Sequence, residues 1–90
     1  MIDILNAEYV RDYIIELEFS DGNVGCYDLN SILQKNIVLT NPLKNKEYFK
    51  DFFLENGALC WKNGLELAPM SIYLRLQEAG KLSRPSQIAA

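Results

Sequence analysis

Residues 61–69, Trp-Lys-Asn-Gly-Leu-Glu-Leu-Ala-Pro (WKNGLELAP), hold the only tryptophan of the chain, an Asn-Gly pair, one acid between two leucines and a proline. Two hairpin registers are available around Asn63-Gly64. A two-residue turn sets Trp61 opposite Glu66 and puts an indole on the same face as a charge. A three-residue loop, Lys62-Asn63-Gly64 with Gly64 in the left-handed bulge position, sets Trp61 opposite Leu65 and on one face with Leu59 and Leu67. The second register makes a continuous apolar face, so Trp61 is expected in the core and Glu66 is expected to point away from it.

Upstream, residues 52–61 (FFLENGALCW) carry a further Asn-Gly pair, Asn56-Gly57, and read as a hairpin that shares its second strand with the first. Downstream, Pro69 suits the first position of a helix and Gly80 suits the residue just past its end, bracketing PMSIYLRLQEAG. Met70, Ile72, Tyr73, Leu74, Leu76 and Ala79 spread over an arc of roughly 220°, wider than the ~100° stripe that one core needs. Such a helix is expected to touch something on two sides. Met70, Ile72, Tyr73, Leu74 and Leu76, with Glu66, form the candidate partner surface.

Earlier in the chain, residues 12–20 (DYIIELEFS) alternate strictly. Tyr13, Ile15, Leu17 and Phe19 share one face, and Asp12, Ile14, Glu16 and Glu18 share the other, the pattern of a half-buried antiparallel strand. Asp21-Gly22 fits a two-residue type I′ turn, which sets Phe19 opposite Val24 and Leu17 opposite Cys26. Cys26 and Cys60 then read as small core residues. IDILNAEYV, before this hairpin, reads as a further strand. Asp28 is a helix N-cap for a helix from about 29 to 35, and Asn41 before Pro42 opens another turn or two of helix.

The expected fold is a single small α+β domain over residues 1–80. It has an antiparallel sheet of about five to six short strands, ordered β-β-β-α-β-β-(β)-α, with two or three short helices and a flexible tail over 81–90. A chain of 90 residues buries a modest core, so self-association into a homodimer would help it.

Composition excludes more than it assigns. There is no histidine, which removes the commonest general base, the usual Ser and Cys triads and most zinc sites. Glu16 and Glu18 sit on the outward face of a strand, and Asp3, Asp21 and Asp28 lack calcium-loop spacing, so neither a carboxylate pair for catalysis nor a metal site is expected. The glycines form no phosphate-binding motif, and no cofactor is expected. Nine Lys and Arg stand against 12 Asp and Glu, net −3, with no basic run, which speaks against direct nucleic-acid binding. No long apolar stretch suits a membrane span, and MIDILNAEYV does not read as a leader, so a cytoplasmic protein is expected.

Asp21-Gly22, Asp28-Leu29 with Leu33, Pro42-Leu43, Phe49, Gly57 and the run Trp61-x-Asn63-Gly64-x-Glu66-x-x-Pro69 with Tyr73 together resemble the small bacterial family named domain of unknown function 2442. The resemblance spans roughly residues 1–80, and its most specific piece is the Trp61–Pro69 run. It implies an α+β domain with an antiparallel sheet and a few short helices. It also implies gene neighbourhoods in which some members lie beside proteins that look like toxins of toxin–antitoxin modules. Other members carry an added helix-turn-helix, for which this chain is too short. Met70 stands where the family commonly has an acid, and Glu66 where it commonly has Asp. The resemblance brings no catalytic residue set.

Three functional classes follow. The first is a non-catalytic interaction or regulatory module, antitoxin-like, whose partner is a small protein encoded nearby. It rests on the broad apolar helix and the missing catalytic groups. The alternative is a small-molecule-binding or catalytic domain using Asn63, Glu66 and Tyr73. Direct DNA binding, the third, conflicts with the charge.

Overall fold

The computed structural model describes residues 1–84. Three antiparallel strands come first: β1 (Ile4–Arg11), β2 (Ile14–Phe19) and β3 (Val24–Asp28). They are followed by the short helix α1 (Asn30–Leu33), a 3-10 turn (Asn41–Lys44) and the short helix α2 (Lys46–Phe49). A second meander then forms from β4 (Phe53–Glu55), β5 (Ala58–Cys60) and β6 (Glu66–Leu67), and the longest helix, α3 (Pro69–Glu78), closes the described chain.

The strands make two three-stranded antiparallel sheets, β1-β2-β3 and β4-β5-β6, in place of the expected single sheet. The sheets meet at one corner, where the Ile4 N–H donates to the Gly57 carbonyl at 2.9 Å. A register shift between Ile4 and Asn6 breaks the β1 ladder just beyond that point. An extra residue in an edge strand bends it and turns its hydrogen-bonding groups away from a would-be neighbour. Pairing between the sheets therefore stops after one bond.

The Trp61 hairpin takes the three-residue register. The Trp61 N–H donates to the Leu65 carbonyl at 3.0 Å, and the Gly64 N–H to the Trp61 carbonyl at 3.0 Å. Gly64 has φ +96, a value that side-chain-bearing residues rarely adopt. Trp61 is 1% exposed and its indole N–H donates to the Phe49 carbonyl at 2.9 Å, so burial leaves no polar atom stranded. The Phe49 and Phe52 rings lie 5.9 and 6.2 Å from the indole, and Tyr13 meets Phe49 edge-on at 5.2 Å. This aromatic group joins the inner faces of both sheets, with Ile15, Leu17 and Phe19 from β2 and Leu59 from β5. The second Asn-Gly pair also behaves as expected: Glu55 faces Ala58 across a two-residue turn with Asn56 at φ +52 and Gly57 at φ +79.

The β2–β3 hairpin departs from the expected register. Glu18 pairs with Val24, Leu17 with Gly25 and Ile15 with Tyr27, around a loop of Ser20, Asp21 and Gly22. The inner face of β3 is thus Gly25 and Tyr27, whereas Cys26 is exposed and not a core residue; Cys60 is buried as expected. The cause lies in α3. A Cβ at Gly25 would stand 3.0 Å from Leu76 Cδ1 and 3.0 Å from the Lys81 carbonyl, because the end of the helix packs on the strand backbone. The two-residue turn would put Cys26 opposite Leu17, in the place of Gly25, where there is room for a hydrogen atom only.

The helices are shorter than expected. The N-cap is Leu29 rather than Asp28, although the Asp28 carboxylate still accepts from the Asn30 amide at 2.9 Å, and α1 spans Asn30–Leu33 rather than 29–35. Pro42 enters a 3-10 turn, and the residue that caps the next helix is Asn45, accepting from Glu47 and Tyr48 at 2.9 and 3.2 Å. At the end of α3, Lys81 N–H bonds the Leu76 carbonyl and Gly80 N–H bonds that of Gln77, with Gly80 at φ +69. This double closure satisfies carbonyls that the helix end would leave open. The chain then turns along β3, where Val24 and Ser83 exchange hydrogen bonds of 2.8 and 3.0 Å. Most of the expected tail, residues 85–90, lies outside the described residues.

Candidate interaction surface

Asn63, one residue into the turn that buries Trp61, has its side chain committed at both ends. Its carbonyl oxygen accepts from Leu65 N at 3.2 Å, which shapes the hairpin, and its amide donates to the Leu39 carbonyl at 2.9 Å. The second bond ties the hairpin to the loop between α1 and the 3-10 turn. Further bonds fix that loop: the Ile37 carbonyl accepts from Thr40 N at 3.0 Å, Asn41 N at 2.9 Å and Thr40 Oγ1 at 3.1 Å. Lys44 Nζ donates to Asn36 Oδ1 at the loop entrance. Thr40 is buried, yet Ile37, Val38 and Leu39 are 49%, 83% and 45% exposed. Three consecutive apolar side chains are therefore held in water by a turn anchored through the Ile37 and Leu39 carbonyls. Soluble proteins keep such contiguous apolar surface chiefly where it meets another molecule.

The surface expected on α3 divides in two. Ile72 and Leu76 are 2% and 3% exposed and belong to the core, so they are withdrawn from the docking set. Met70 and Leu74, one turn apart, remain 44% and 47% exposed. Tyr73 is half-buried: its ring meets Phe19 edge-on at 5.2 Å and its hydroxyl donates to Asp21 Oδ2 at 2.5 Å. Glu66 is exposed, as expected, and lines a cavity of about 210 Å³ with Ser71 and Arg75, on a side of α3 other than that of Met70 and Leu74.

Asp21 is a junction. Its carboxylate accepts from Asn23 N at 3.0 Å, Asn23 Nδ2 at 2.9 Å and the Tyr73 hydroxyl, with Arg84 at 4.0 Å. Burial works to raise the carboxyl, but the Tyr73 hydroxyl, the Asn23 amides and Arg84 outweigh it and hold the group below the usual carboxylate value. The same bond to Asp21, with burial, pushes the Tyr73 phenol up. These residues lock the β2–β3 turn to α3, leaving their polar atoms occupied.

Asn63, Glu66 and Tyr73 do not converge. The Asn63 side chain faces the Ile37–Leu39 loop, and Tyr73 faces the β2–β3 turn. Glu66 lines cavities of about 210 and 190 Å³ to which neither of them contributes. Of the remaining sequence-derived positions, Gly22 sits at φ +92 in the β2–β3 loop and Pro69 opens α3. Trp61, Asn63, Gly64, Asp21, Gly22, Asp28 and Pro69 thus shape the fold, and Asn63 also supports an exposed surface.

The Ile37–Leu39 turn escapes a search by periodicity, since three residues make neither a strand nor a helix. Its signal is an apolar triplet between Asn36 and the Asn41-Pro42 pair, in a stretch with no strand or helix to absorb it.

No helix among the described residues is long and apolar enough to cross a membrane. Neither the curated proteins nor the solved structures yield a match to the chain. The family model described as "Protein of unknown function (DUF2442)" matches residues 4–78, from the first residue of β1 to the last of α3 and through both sheets. Because the match takes in most of the 90 residues, including the Trp61–Pro69 run, the chain belongs to the DUF2442 family.

Proposed function

We propose that the chain is a non-catalytic protein-interaction module that presents the Ile37–Leu39 turn, and beside it in function the Met70–Leu74 side of α3, to a protein partner. The observation that carries this reading is the turn itself. Val38 is 83% exposed at the tip of a loop closed by bonds to the Ile37 and Leu39 carbonyls. A rigid apolar anchor loses little conformational freedom on binding, the property that makes a few side chains dominate an interface. The absence of histidine and the dispersal of Asn63, Glu66 and Tyr73 weigh against a catalytic reading.

The finer reading is an antitoxin-like or regulatory partner of a small protein encoded beside it, cytoplasmic and without direct nucleic-acid contact. It rests on the net charge of −3 and on the gene neighbourhoods that the family resemblance implies. Isothermal titration of the purified chain with the product of the adjacent gene tests it. Binding at micromolar Kd or better is expected. A protein that binds neither that product nor itself at roughly 100 µM, where ΔG would already be about −5.5 kcal/mol, has no such role.

A further inference from the structure

The outer face of β1-β2-β3 is organised in rows across the strands. Asn6, Glu18 and Val24 form one row, Glu8, Glu16 and Cys26 the next, and Arg11, Ile14 and Asp28 the third. Over β1 and β2 the face is acidic, with Glu8 directly opposite Glu16 and Glu18 in the adjoining row. Over β2 and β3 it is a trough of about 430 Å³, with Val10, Ile14, Val24 and Cys26 in its lining. The trough continues into a second concavity of about 380 Å³ that shares Ile14 and Asp28. Arg11, Glu16, Asp28 and Lys81 line the trough as well.

The three glutamates take part in none of the ion pairs among the described residues, whose cations serve Asp12, Glu47, Asp51 and Asp21. Residues 85–90, Pro-Ser-Gln-Ile-Ala-Ala, contain no Lys or Arg. Like charges directly opposed across an antiparallel pair repel, and no ion pair among the described residues offsets them.

We infer that this face is a second docking surface, separate from the Ile37–Leu39 turn, for a basic amphipathic helix of a protein partner. The acidic column and a trough lined in part by Val10, Ile14, Val24 and Cys26 lie side by side, so an occupant must offer cations and apolar side chains along one contact face. A helix does so with residues three and four apart, whereas a strand sends successive side chains to opposite faces. A second copy of this chain would bring glutamates against glutamates. Nucleic acid and anionic lipid meet the same repulsion.

The probe is an amidated Lys/Leu amphipathic helix of about 14 residues, ~21 Å long, titrated into the ¹⁵N-labelled full chain. Expected are amide shifts confined to residues 6–10, 14–18 and 24–28, with a Kd that weakens by about tenfold or more between 50 and 300 mM NaCl. The triple variant Glu8→Gln, Glu16→Gln, Glu18→Gln is expected to lose about tenfold in affinity at low salt without a lower Tm. Single Glu16→Gln, a milder change, should fall between the two, and a Glu/Leu peptide of the same pattern should not shift these amides. Shifts centred on residues 37–39 or 70–74, equal binding by the Gln variants, or no saturation by 1 mM peptide would each overturn the inference. Any of those results leaves the adjacent-gene titration, which probes the other surface, free to succeed or fail on its own.

Discussion

Gly25 and Gly64 do opposite things with the same missing side chain. Gly64 is glycine for its backbone: at φ +96 with nothing within 4 Å of a notional Cβ, alanine there meets strain but no clash. Gly64→Ala is expected to cost about 1 kcal/mol, which in a domain of this size lowers Tm by roughly 4–8 °C. Gly25 is glycine for space, since Leu76 and the Lys81 carbonyl occupy the place of its side chain. Leu76 can move and the backbone carbonyl cannot do so cheaply, so Gly25→Val is expected to cost more, about 2–3 kcal/mol, by urea denaturation. Equal losses at the two positions would mean that α3 does not press on β3. Gly64 was legible because an Asn-Gly pair between apolar residues announces a turn. Gly25 was not, because a residue chosen for absence adds nothing to a hydrophobic pattern. That omission alone shifted the expected β2–β3 register by one residue and moved Cys26 from the surface to the core.

At the scale of elements, the Asp21–Tyr73 bond joins a hairpin turn to a helix more than fifty residues away in sequence. The carboxyl of Asp21 is lowered in the fold. Its contribution to stability is therefore present above the unfolded value of about 3.9 and lost as pH falls through the lower folded value. Tyr73, raised in the fold, adds stability that is present below its unfolded value of about 10 and lost as pH rises beyond it. Tyr73→Phe removes the donor, so its urea midpoint is expected to fall less steeply than that of the wild type between pH 5 and 2.5, and to lose part of the decline above pH 10. A constant offset between the two proteins at every pH would show the bond to be idle. The bond's ends were visible as Asp-Gly and an apolar-face tyrosine, but their pairing depends on how α3 lies on the first sheet. The same long-range geometry separated the strands into two sheets: each hairpin could be read from its own turn, whereas the bulge beyond Ile4 that ends pairing between them left no mark in composition.

For the whole molecule, the Trp61–Pro69 run builds from the inside. Trp61 anchors the aromatic group, Gly64 sets the register, Pro69 starts α3, and Asn63 reaches across to hold the loop that carries Ile37, Val38 and Leu39 outward. The core side of this division was readable from the register of one hairpin. The outward side was not, because which apolar residues stay in water is decided only after all the others have packed: of the α3 residues expected at a partner surface, packing claimed Ile72 and Leu76 and left Met70 and Leu74. The most direct test is Val38→Asp, which places a charge at the tip of the turn and touches no buried group. Measured by calorimetry against the adjacent gene's product, the arrangement predicts a Tm within about 2 °C of the wild type and an affinity at least about tenfold weaker, a loss of about 1.4 kcal/mol or more. An unchanged affinity at unchanged Tm would contradict it, and so would a variant that fails to fold, which would place Val38 in the core rather than on a docking surface.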